Sequence, residues 1–416
     1  MFYNVLGFLL VSAVALAVAA ALAAKSWAPT RLLVLGVALR IFGSTVRYEI
    51  LFRFYDGLGD AVQYYQEGLR LARKALEGFA SSPLSAAFWS GQGGDWWGTS
   101  FLVRVSSLFL LLTGPTMRGE FVVFSLASFV GLYAIATAFR NSGMGSGRSI
   151  GYAMLIWAWP SLWFWPSSVG KEALLVLAIG LATLGYVGTD ERIRWAPFVL
   201  GVGLAFCIRP HVAAVLAMAA MAAHWLGSWE RMSLRRVLES VLAVFLVAAA
   251  FSGMRAQFGL ADADLEGMVE FVQFRSQQTE QGGSNIGGGP LGPAAIPLAP
   301  VNVWMRPFPW EAHNLTSAFA AAELVLFWYL AWKRRRSVLF ALRHWRKHRL
   351  LRFGLPLLAV YTLMIGVTFA NLGIIARQRA PVFPFMIVLL IAAPRHVEAQ
   401  ERTVSEVPAT RSRRAA

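Results

Sequence analysis

The sequence predicts an all-α fold, a polytopic membrane bundle of about 11 transmembrane helices. Of its 416 residues, 57% are hydrophobic and only 14% are charged, and the mean hydropathy is +0.55. A soluble chain carries about 25% charged residues, so an ordinary soluble enzyme is excluded. Lysine and arginine gather between the apolar runs, where the positive-inside rule places them, and the net charge of +16 therefore does not indicate nucleic acid binding.

The predicted spans are the apolar runs long enough to cross a bilayer. They cover 3–24, 31–53, 120–139, 149–167, 172–188, 195–208, 212–227, 237–254, 314–333, 354–372 and 381–395. The first run lacks a clear small-residue cleavage site, so we expect it to be retained as a helix. Segment 100–116 is weaker, because Arg104 and Gly114-Pro115 interrupt it. We expect it to be re-entrant or to lie at the membrane interface.

The basic residues also predict the sides of the membrane. The heaviest cluster, from Lys333 to Arg352, marks a cytoplasmic loop. We expect residues 1–395 to form the transmembrane domain. Successive spans cross the membrane in alternating directions from this cytoplasmic loop, which places the loops 54–118 and 255–313 and the turn 371–380 on the outer side. The tail 396–416 is expected to be cytoplasmic and disordered. The loop 255–313, with its glycine-rich run, is too long for a simple connection, and such loops are commonly functional.

Asp60 is the first candidate for chemistry. It follows Gly57 and Gly59 at the start of the first outer loop and precedes an amphipathic helix predicted over 66–78. A carboxylate at the outer end of a membrane helix could act as a general base toward a hydroxyl or amine acceptor. The alternative is that Asp60 only caps the following helix, since aspartate is a favoured N-cap residue.

Further candidates are cations and aromatic residues on the predicted outer side. Arginine binds phosphate through bidentate, charge-assisted hydrogen bonds, whereas a structural arginine simply reaches to the interface. A charge near the hydrocarbon is expensive and tends to be functional. In Trp304–His313 a tryptophan could stack on a sugar or merely anchor the chain at the interface. These candidates are Lys171, Glu172, Arg209, His211, Arg306, Trp310, Arg377 and Arg379.

Several short motifs in residues 31–215 resemble the GT-C superfamily of membrane glycosyltransferases, which use polyprenyl-phosphate-linked sugars. They are Leu39-Arg40-Ile41, Asp60-Ala61 with Tyr64, Arg118-Gly119-Glu120, Trp165-Pro166 through Lys171-Glu172, and Arg209-Pro210-His211. The resemblance implies a GT-C-like fold with Asp60 as the catalytic carboxylate and Tyr64 as its associated tyrosine. It also implies that Arg377 and Arg379, in a late outer turn, meet the lipid phosphate. Ala61 stands where the family often has a second acid.

The expected function is inverting transfer of a sugar from a polyprenyl-phosphate donor to a glycan or lipid acceptor on the outer face. Abundant alanine and arginine suggest a GC-rich bacterial genome, and the expected location of this multi-pass protein is the bacterial inner membrane. No organic cofactor and no metal cluster is expected, although a divalent cation held by oxygens and phosphate stays compatible. Two alternatives stay open at this point. One is a polysaccharide polymerase or ligase acting on lipid-linked oligosaccharides, and the other is a transporter or flippase for an anionic lipid-linked substrate.

Overall fold

The computed structural model describes most of the chain as helix. The described residues are 2–78, 82–90, 96–144, 146–189, 192–227, 234–257, 259–260, 265–280, 286 and 292–392. Within them there is no β-strand, and an isolated β-bridge joins Thr189 to Arg192. The all-α prediction is confirmed for this part of the chain. The predicted tail 396–416 and most of the glycine-rich run lie outside the described residues.

The α-helices are numbered in chain order. They are α1 (Phe2–Ala23), α2 (Thr30–Phe54), α3 (Asp60–Ala75), α4 (Ala86–Ser90), α5 (Gly98–Thr113), α6 (Met117–Asn141), α7 (Ser149–Ala158), α8 (Pro160–Phe164), α9 (Lys171–Val187), α10 (Trp195–Ile208), α11 (Pro210–Leu226), α12 (Leu234–Gln257), α13 (Leu265–Glu280), α14 (Ala299–Trp304), α15 (Leu315–Lys333), α16 (Arg335–His344), α17 (Arg349–Thr368), α18 (Leu372–Arg379) and α19 (Phe383–Ile391).

Five helical segments in the described ranges are long and apolar enough to cross a membrane. They are Tyr3–Ala23, Met117–Asn141, Leu315–Lys333, Arg349–Thr368 and Leu372–Ile391. Helices such as α9, α10 and α11 occupy predicted spans but have only 17, 14 and 17 residues. A membrane helix needs about 20 residues. A protein with several membrane helices is therefore supported, while the number of 11 spans stays a prediction.

Several helices, among them α6 and α9, run between two ends of one bundle. Asp60 and Lys171 begin α3 and α9 at one end, which we call the Asp60 end. At the other end, which we call the Arg148 end, the side chain of Asn141 donates to the carbonyl of Gly188, just beyond α9. Arg148 there donates to the carbonyl of Ile391, the last residue of α19. Helices α6 and α9 thus run in the same direction, from the Asp60 end to the Arg148 end. Helices α7 and α8, which come between them in the sequence, lead the chain back to the Asp60 end.

Close packing of α6 against α9 fixes the position of the Asp60 end. Gly131 and Gly180 face each other, and a Cβ atom on either would collide with the backbone of the other helix. Small residues at such crossings let membrane helices approach closely and gain van der Waals contacts. The first turn of α9, which carries Lys171 and Glu172, is therefore held by a rigid pair of helices.

Helices α3 and α5 form a layer at the Asp60 end. In its first turn, α5 contacts α9 through Thr99, whose hydroxyl oxygen accepts a hydrogen bond from Lys171. Just beyond its last turn, Thr116 donates to the backbone carbonyl of Asn4, at the start of α1. Both ends of α5 thus lie at the Asp60 end, which agrees with a segment near 100–116 that does not span. Gly68 of α3 packs directly on Ser106 of α5.

Several sequence predictions were wrong in detail. The predicted span 149–167 is two helices, because Trp159 is extended and Pro160, which lacks an amide hydrogen, starts a new helix. The predicted turn 371–380 is mostly helical, since the side chain of Asn371 caps α18 by accepting from the Gly373 and Ile374 amides. The amphipathic helix predicted over 66–78 begins earlier, at Asp60.

Candidate functional site

The centre of the candidate site is a buried carboxylate, Glu172, in the first turn of α9. The residue is 2% exposed, and its two oxygens accept from different guanidinium groups. Nη2 of Arg209 lies 3.1 Å from Oε1, and Nη2 of Arg377 lies 2.8 Å from Oε2. A buried carboxylate is stable only when it is paired and hydrogen bonded in this way. Glu172 therefore holds two cations from distant parts of the sequence in fixed positions.

Arg377 also connects this buried pair to Asp60. Its Nη1 lies 3.8 Å from Oδ2 of Asp60, whose side chain is 61% exposed. Gly59 is the N-cap of α3, and Asp60 is its first helical residue. The alternative that Asp60 serves as the N-cap is therefore wrong. Its carboxylate faces water on one side and a guanidinium on the other.

Lys171 and Tyr64 add a second polar layer around Thr99. Nζ of Lys171 donates to the Thr99 hydroxyl over 3.1 Å, and Tyr64 is also hydrogen bonded to Thr99. Tyr64 lies one turn after Asp60 and is buried. Burial, and then the nearby charge of Asp60, raise the pKa of the Tyr64 hydroxyl above its ordinary value. Tyr64 therefore stays protonated at neutral pH.

Arg209 occupies the break between α10 and α11. Its backbone is extended, and Pro210 starts α11 immediately after it. Besides Glu172, its guanidinium donates to the side-chain oxygen of Gln378. His211 lies on the first turn of α11, where it is half-buried and interacts electrostatically with Arg209 and Lys171. The Arg-Pro-His sequence thus directs both polar side chains of this break toward α9 and α18.

Three polar residues of this site were not among the site residues predicted from the sequence. Thr99 and Gln378 carry no sequence signal, because they matter only through their contacts with Lys171 and Arg209. Arg47 did carry a signal, as a charge inside an apolar run. Its guanidinium packs over the rings of Phe164 and Trp165, at 4.9 and 5.2 Å from their centroids, and acts electrostatically on Arg377 and Glu172.

We call these residues together the Glu172 cluster. Its members are Arg47, Asp60, Tyr64, Thr99, Lys171, Glu172, Arg209, His211, Arg377 and Gln378. Four permanent cations in it face two carboxylates, so the cluster has an excess of positive charge before any ligand binds. Low dielectric near a membrane helix bundle strengthens the attraction of such an excess for an anion. The cluster can therefore bind a phosphate while presenting a water-exposed carboxylate beside it.

Three predicted site residues lie outside this cluster in a neighbouring region. Arg306 pairs with Glu311, with Nε 2.8 Å from Oε1, and its Nη2 donates to the Ile286 carbonyl. Trp310 is 77% exposed and stacks on Phe308. Arg379 is fully buried, and its Nη1 donates to the carbonyls of Val303 and Arg306. These contacts tie α14 and its following turn to α18, and none of them joins a residue of the Glu172 cluster.

The comparisons with known proteins give no relative. No protein-family model, no curated protein and no solved structure matches the chain. Within the described residues, no group of three or more His, Cys, Asp or Glu side chains is arranged to hold a metal ion. The functional assignment therefore depends on the geometry and charge of the Glu172 cluster.

Proposed function

We propose that the protein is a membrane glycosyltransferase that moves a sugar from a polyprenyl-phosphate-linked donor to an acceptor hydroxyl. The observation that carries the proposal is the meeting of Asp60, near the start of the chain, with Arg377, near its end. They meet at one end of an apolar helix bundle that contains candidate membrane spans. A lipid-linked sugar phosphate requires an apolar environment for its tail, positive charge for its phosphate and a base for the acceptor.

In the proposed reaction, the Asp60 carboxylate takes the proton of the acceptor hydroxyl as the oxygen attacks the anomeric carbon. A new carbon–oxygen bond forms on one face of the sugar, and the bond to the phosphate oxygen breaks on the opposite face. The leaving phosphate keeps the bonding electron pair, and the configuration at the anomeric carbon inverts. The exposure of Asp60 lets an acceptor approach from the aqueous side.

The cations stabilise the negative charge that develops on the leaving phosphate oxygen. Within the part of the chain that the structure describes, the ammonium of Lys171 donates to the neutral Thr99 hydroxyl and forms no direct ion pair, so it can turn to a phosphate without first leaving a carboxylate. Arg209 and Arg377 are already oriented by Glu172. Groups held in place in this way stabilise a transition state without reorganising during the reaction. Glu172 is accordingly a positioning residue, while Asp60 is the proposed catalytic residue.

The distribution of charge also supports an outward-facing site in a bacterial inner membrane. The Arg148 end carries Arg140, Arg148 and Arg334, together with the basic segment that follows α15. The positive-inside rule places such an end in the cytoplasm. The Asp60 end, with the Glu172 cluster, then faces outward.

The first test is the substitution Asp60→Asn, assayed in membranes with a panel of polyprenyl-phosphate sugars and with mass spectrometry of the glycosylated product. We expect the rate of transfer to fall by about 10²- to 10⁴-fold, the usual contribution of a general base. The matched control is Asp56→Asn. Asp56 is an exposed acid four residues earlier, with a positive φ of 49° that asparagine also tolerates, and its replacement should leave the rate unchanged.

Two outcomes would overturn the proposal. Full activity of Asp60→Asn would exclude Asp60 as the base. Movement of lipid-linked sugar across the membrane with no new glycosidic bond would identify a transporter. A product with many donor repeats, rather than one sugar, would instead favour a polymerase or ligase.

A further inference from the structure

A cavity lies at the Arg148 end, across the bundle from the Glu172 cluster. It has a volume of about 620 Å³, within the range of small-molecule sites, and lies between α7, α15 and α19. Met154, Leu155, Leu330 and Leu390 form an apolar wall. Since α15 is a candidate membrane span and α19 is part of another, this wall lies beside the hydrocarbon of a bilayer.

Two arginines line the same cavity. Arg148 is partly buried, and its Nη1 donates to the carbonyl of Ile391 over 3.3 Å, which holds the guanidinium beside the last turn of α19. Arg334 is exposed at the C-terminal cap of α15. None of the described residues that line this cavity is acidic. The cavity thus combines an apolar wall with positive charge at the level of the membrane surface.

We propose that this cavity binds one anionic phospholipid from the leaflet at the Arg148 end. The lipid phosphate lies between Arg148 and Arg334, and one acyl chain follows the wall formed by Met154, Leu155, Leu330 and Leu390. Guanidinium groups bind phosphate by charge-assisted hydrogen bonds, and basic pockets between membrane helices select anionic head groups. This inference does not depend on the proposed glycosyl transfer, because the cavity shares no residue with the Glu172 cluster.

The binding test uses the full-length protein in a neutral detergent and three probes in titrations followed by native mass spectrometry. They are dioctanoyl phosphatidylglycerol, dioctanoyl phosphatidylcholine and glycerol phosphate. We expect phosphatidylglycerol to bind at least about tenfold more tightly than either of the other probes, as expected for one charge-assisted contact together with apolar burial. Equal binding of the two lipids would overturn charge recognition. Equal binding of glycerol phosphate would overturn the role of the apolar wall.

Two pairs of variants locate the site. Arg334→Gln removes a charge that lines the cavity, while Arg335→Gln removes the neighbouring charge, which instead packs over Trp332. Gly151→Leu fills the cavity, while Gly203→Leu adds the same side chain on α10. A Cβ atom at either glycine meets nothing within 4 Å, so neither change clashes on introduction. We expect Arg334→Gln and Gly151→Leu each to weaken phosphatidylglycerol binding by about tenfold or more.

The two controls, Arg335→Gln and Gly203→Leu, should bind phosphatidylglycerol as the unmodified protein does. Equal weakening by Arg334→Gln and Arg335→Gln would mean that the lipid responds only to overall surface charge, which overturns a discrete site. Unchanged binding by Gly151→Leu would mean that the lipid binds elsewhere, and would overturn it as well.

Discussion

Two basic regions lie at the Asp60 end of the bundle, and they use their arginines in different ways. In the Glu172 cluster, Arg209 and Arg377 are paired with carboxylates. In the neighbouring region, Arg379 is buried against backbone carbonyls. Arg377 and Arg379 are only two residues apart on α18. The sequence around the two arginines is almost the same, but their hydrogen-bond partners differ: Arg377 pairs with a carboxylate, and Arg379 donates to backbone carbonyls.

The comparison shows which arginines are able to meet a ligand. Arg377 keeps 33% of its side chain exposed and lies beside the exposed carboxylate of Asp60, so an anion can reach it. Arg379 has no exposed surface, and its hydrogen bonds to the chain hold α14 against α18. We therefore propose that the accessible Arg377 is the arginine that binds a ligand, while the enclosed Arg379 supports the fold. The following experiments test that division.

The largest effect is expected from Glu172→Gln. Removing one partner of a buried ion pair leaves the other charge uncompensated. Here Arg209 and Arg377 both lose their buried counter-ion, and Arg377 keeps only the exposed Asp60 at 3.8 Å. We expect the free energy of unfolding to fall by about 3–5 kcal/mol. Thermal unfolding of the purified protein in detergent measures the change.

Glu120→Gln is the matched control for that change. Glu120 is a fully buried glutamate at the same end, where one oxygen accepts from the Ser106 hydroxyl and the other has no hydrogen-bond partner among the described residues. An amide can occupy this place without leaving a cation unpaired, so we expect a change within about 1 kcal/mol. Similar losses in both variants would show that Glu172 matters through burial alone, and not as the counter-ion of the cluster.

The next effect separates Arg377 from Arg379 directly. Arg377→Lys keeps the charge but loses the fork of donors that meets Glu172 and that, in the proposed reaction, also binds the phosphate. We expect the transfer rate to fall by about 10²-fold, as for removal of one oriented donor at a transition state. The stability of this variant should change less than that of Glu172→Gln, since the charge of Glu172 stays paired with Arg209.

Arg379→Lys should give the opposite result. It loses donors to the carbonyls of Val303 and Arg306, so we expect a stability loss of about 1–3 kcal/mol. Its transfer rate per folded molecule should stay within a few-fold of the original, when measured beside Arg377→Lys in the same assay. If Arg379→Lys also lost transfer without losing stability, both arginines would act on the substrate and the division between the two regions would fail.

Burial in lipid and the cost of a charge near the hydrocarbon explain which helices and site residues the sequence predicted. Long apolar runs located α1, α6 and α15 closely, because burial in lipid demands an uninterrupted stretch of suitable length. Expensive charges at the ends of such runs led to Lys171, Glu172, Arg209 and Arg377, which the structure brings together.

The sequence could not predict which distant side chains contact each other. Nothing local indicates that Glu172 would meet guanidinium groups 37 and 205 residues away. Nor does it indicate that Thr99 would reach Lys171, since that contact depends on how α5 lies at the end of the bundle. Arg306 and Arg379 had the same composition signal as the cluster arginines. Only their carbonyl and carboxylate partners in the fold distinguish them.

The smallest effect concerns the ion pair that closes the neighbouring region, Arg306 with Glu311. Burial alone would raise the pKa of the Glu311 carboxyl, but hydrogen bonds from Arg306 and the Phe308 amide lower it below its ordinary value. A lowered pKa in the folded state means that the ionised pair stabilises the protein above the ordinary pKa of about 4.3. That stabilisation is lost as the pH falls through the lowered value.

Glu311→Gln should therefore lower the free energy of unfolding by only about 0.2–1 kcal/mol at pH 7, as for a partly exposed pair. The difference between the variant and the original protein should disappear once the pH has fallen below the lowered pKa, because the carboxyl is then protonated in both folded and unfolded chains. Unfolding midpoints at a series of pH values measure it, and transfer activity at pH 7 should not change. If Glu311→Gln lost activity while its stability stayed unchanged, Arg306 would lie beside the substrate. Arg306 would then belong with the Glu172 cluster, and the division between the two basic regions would be wrong.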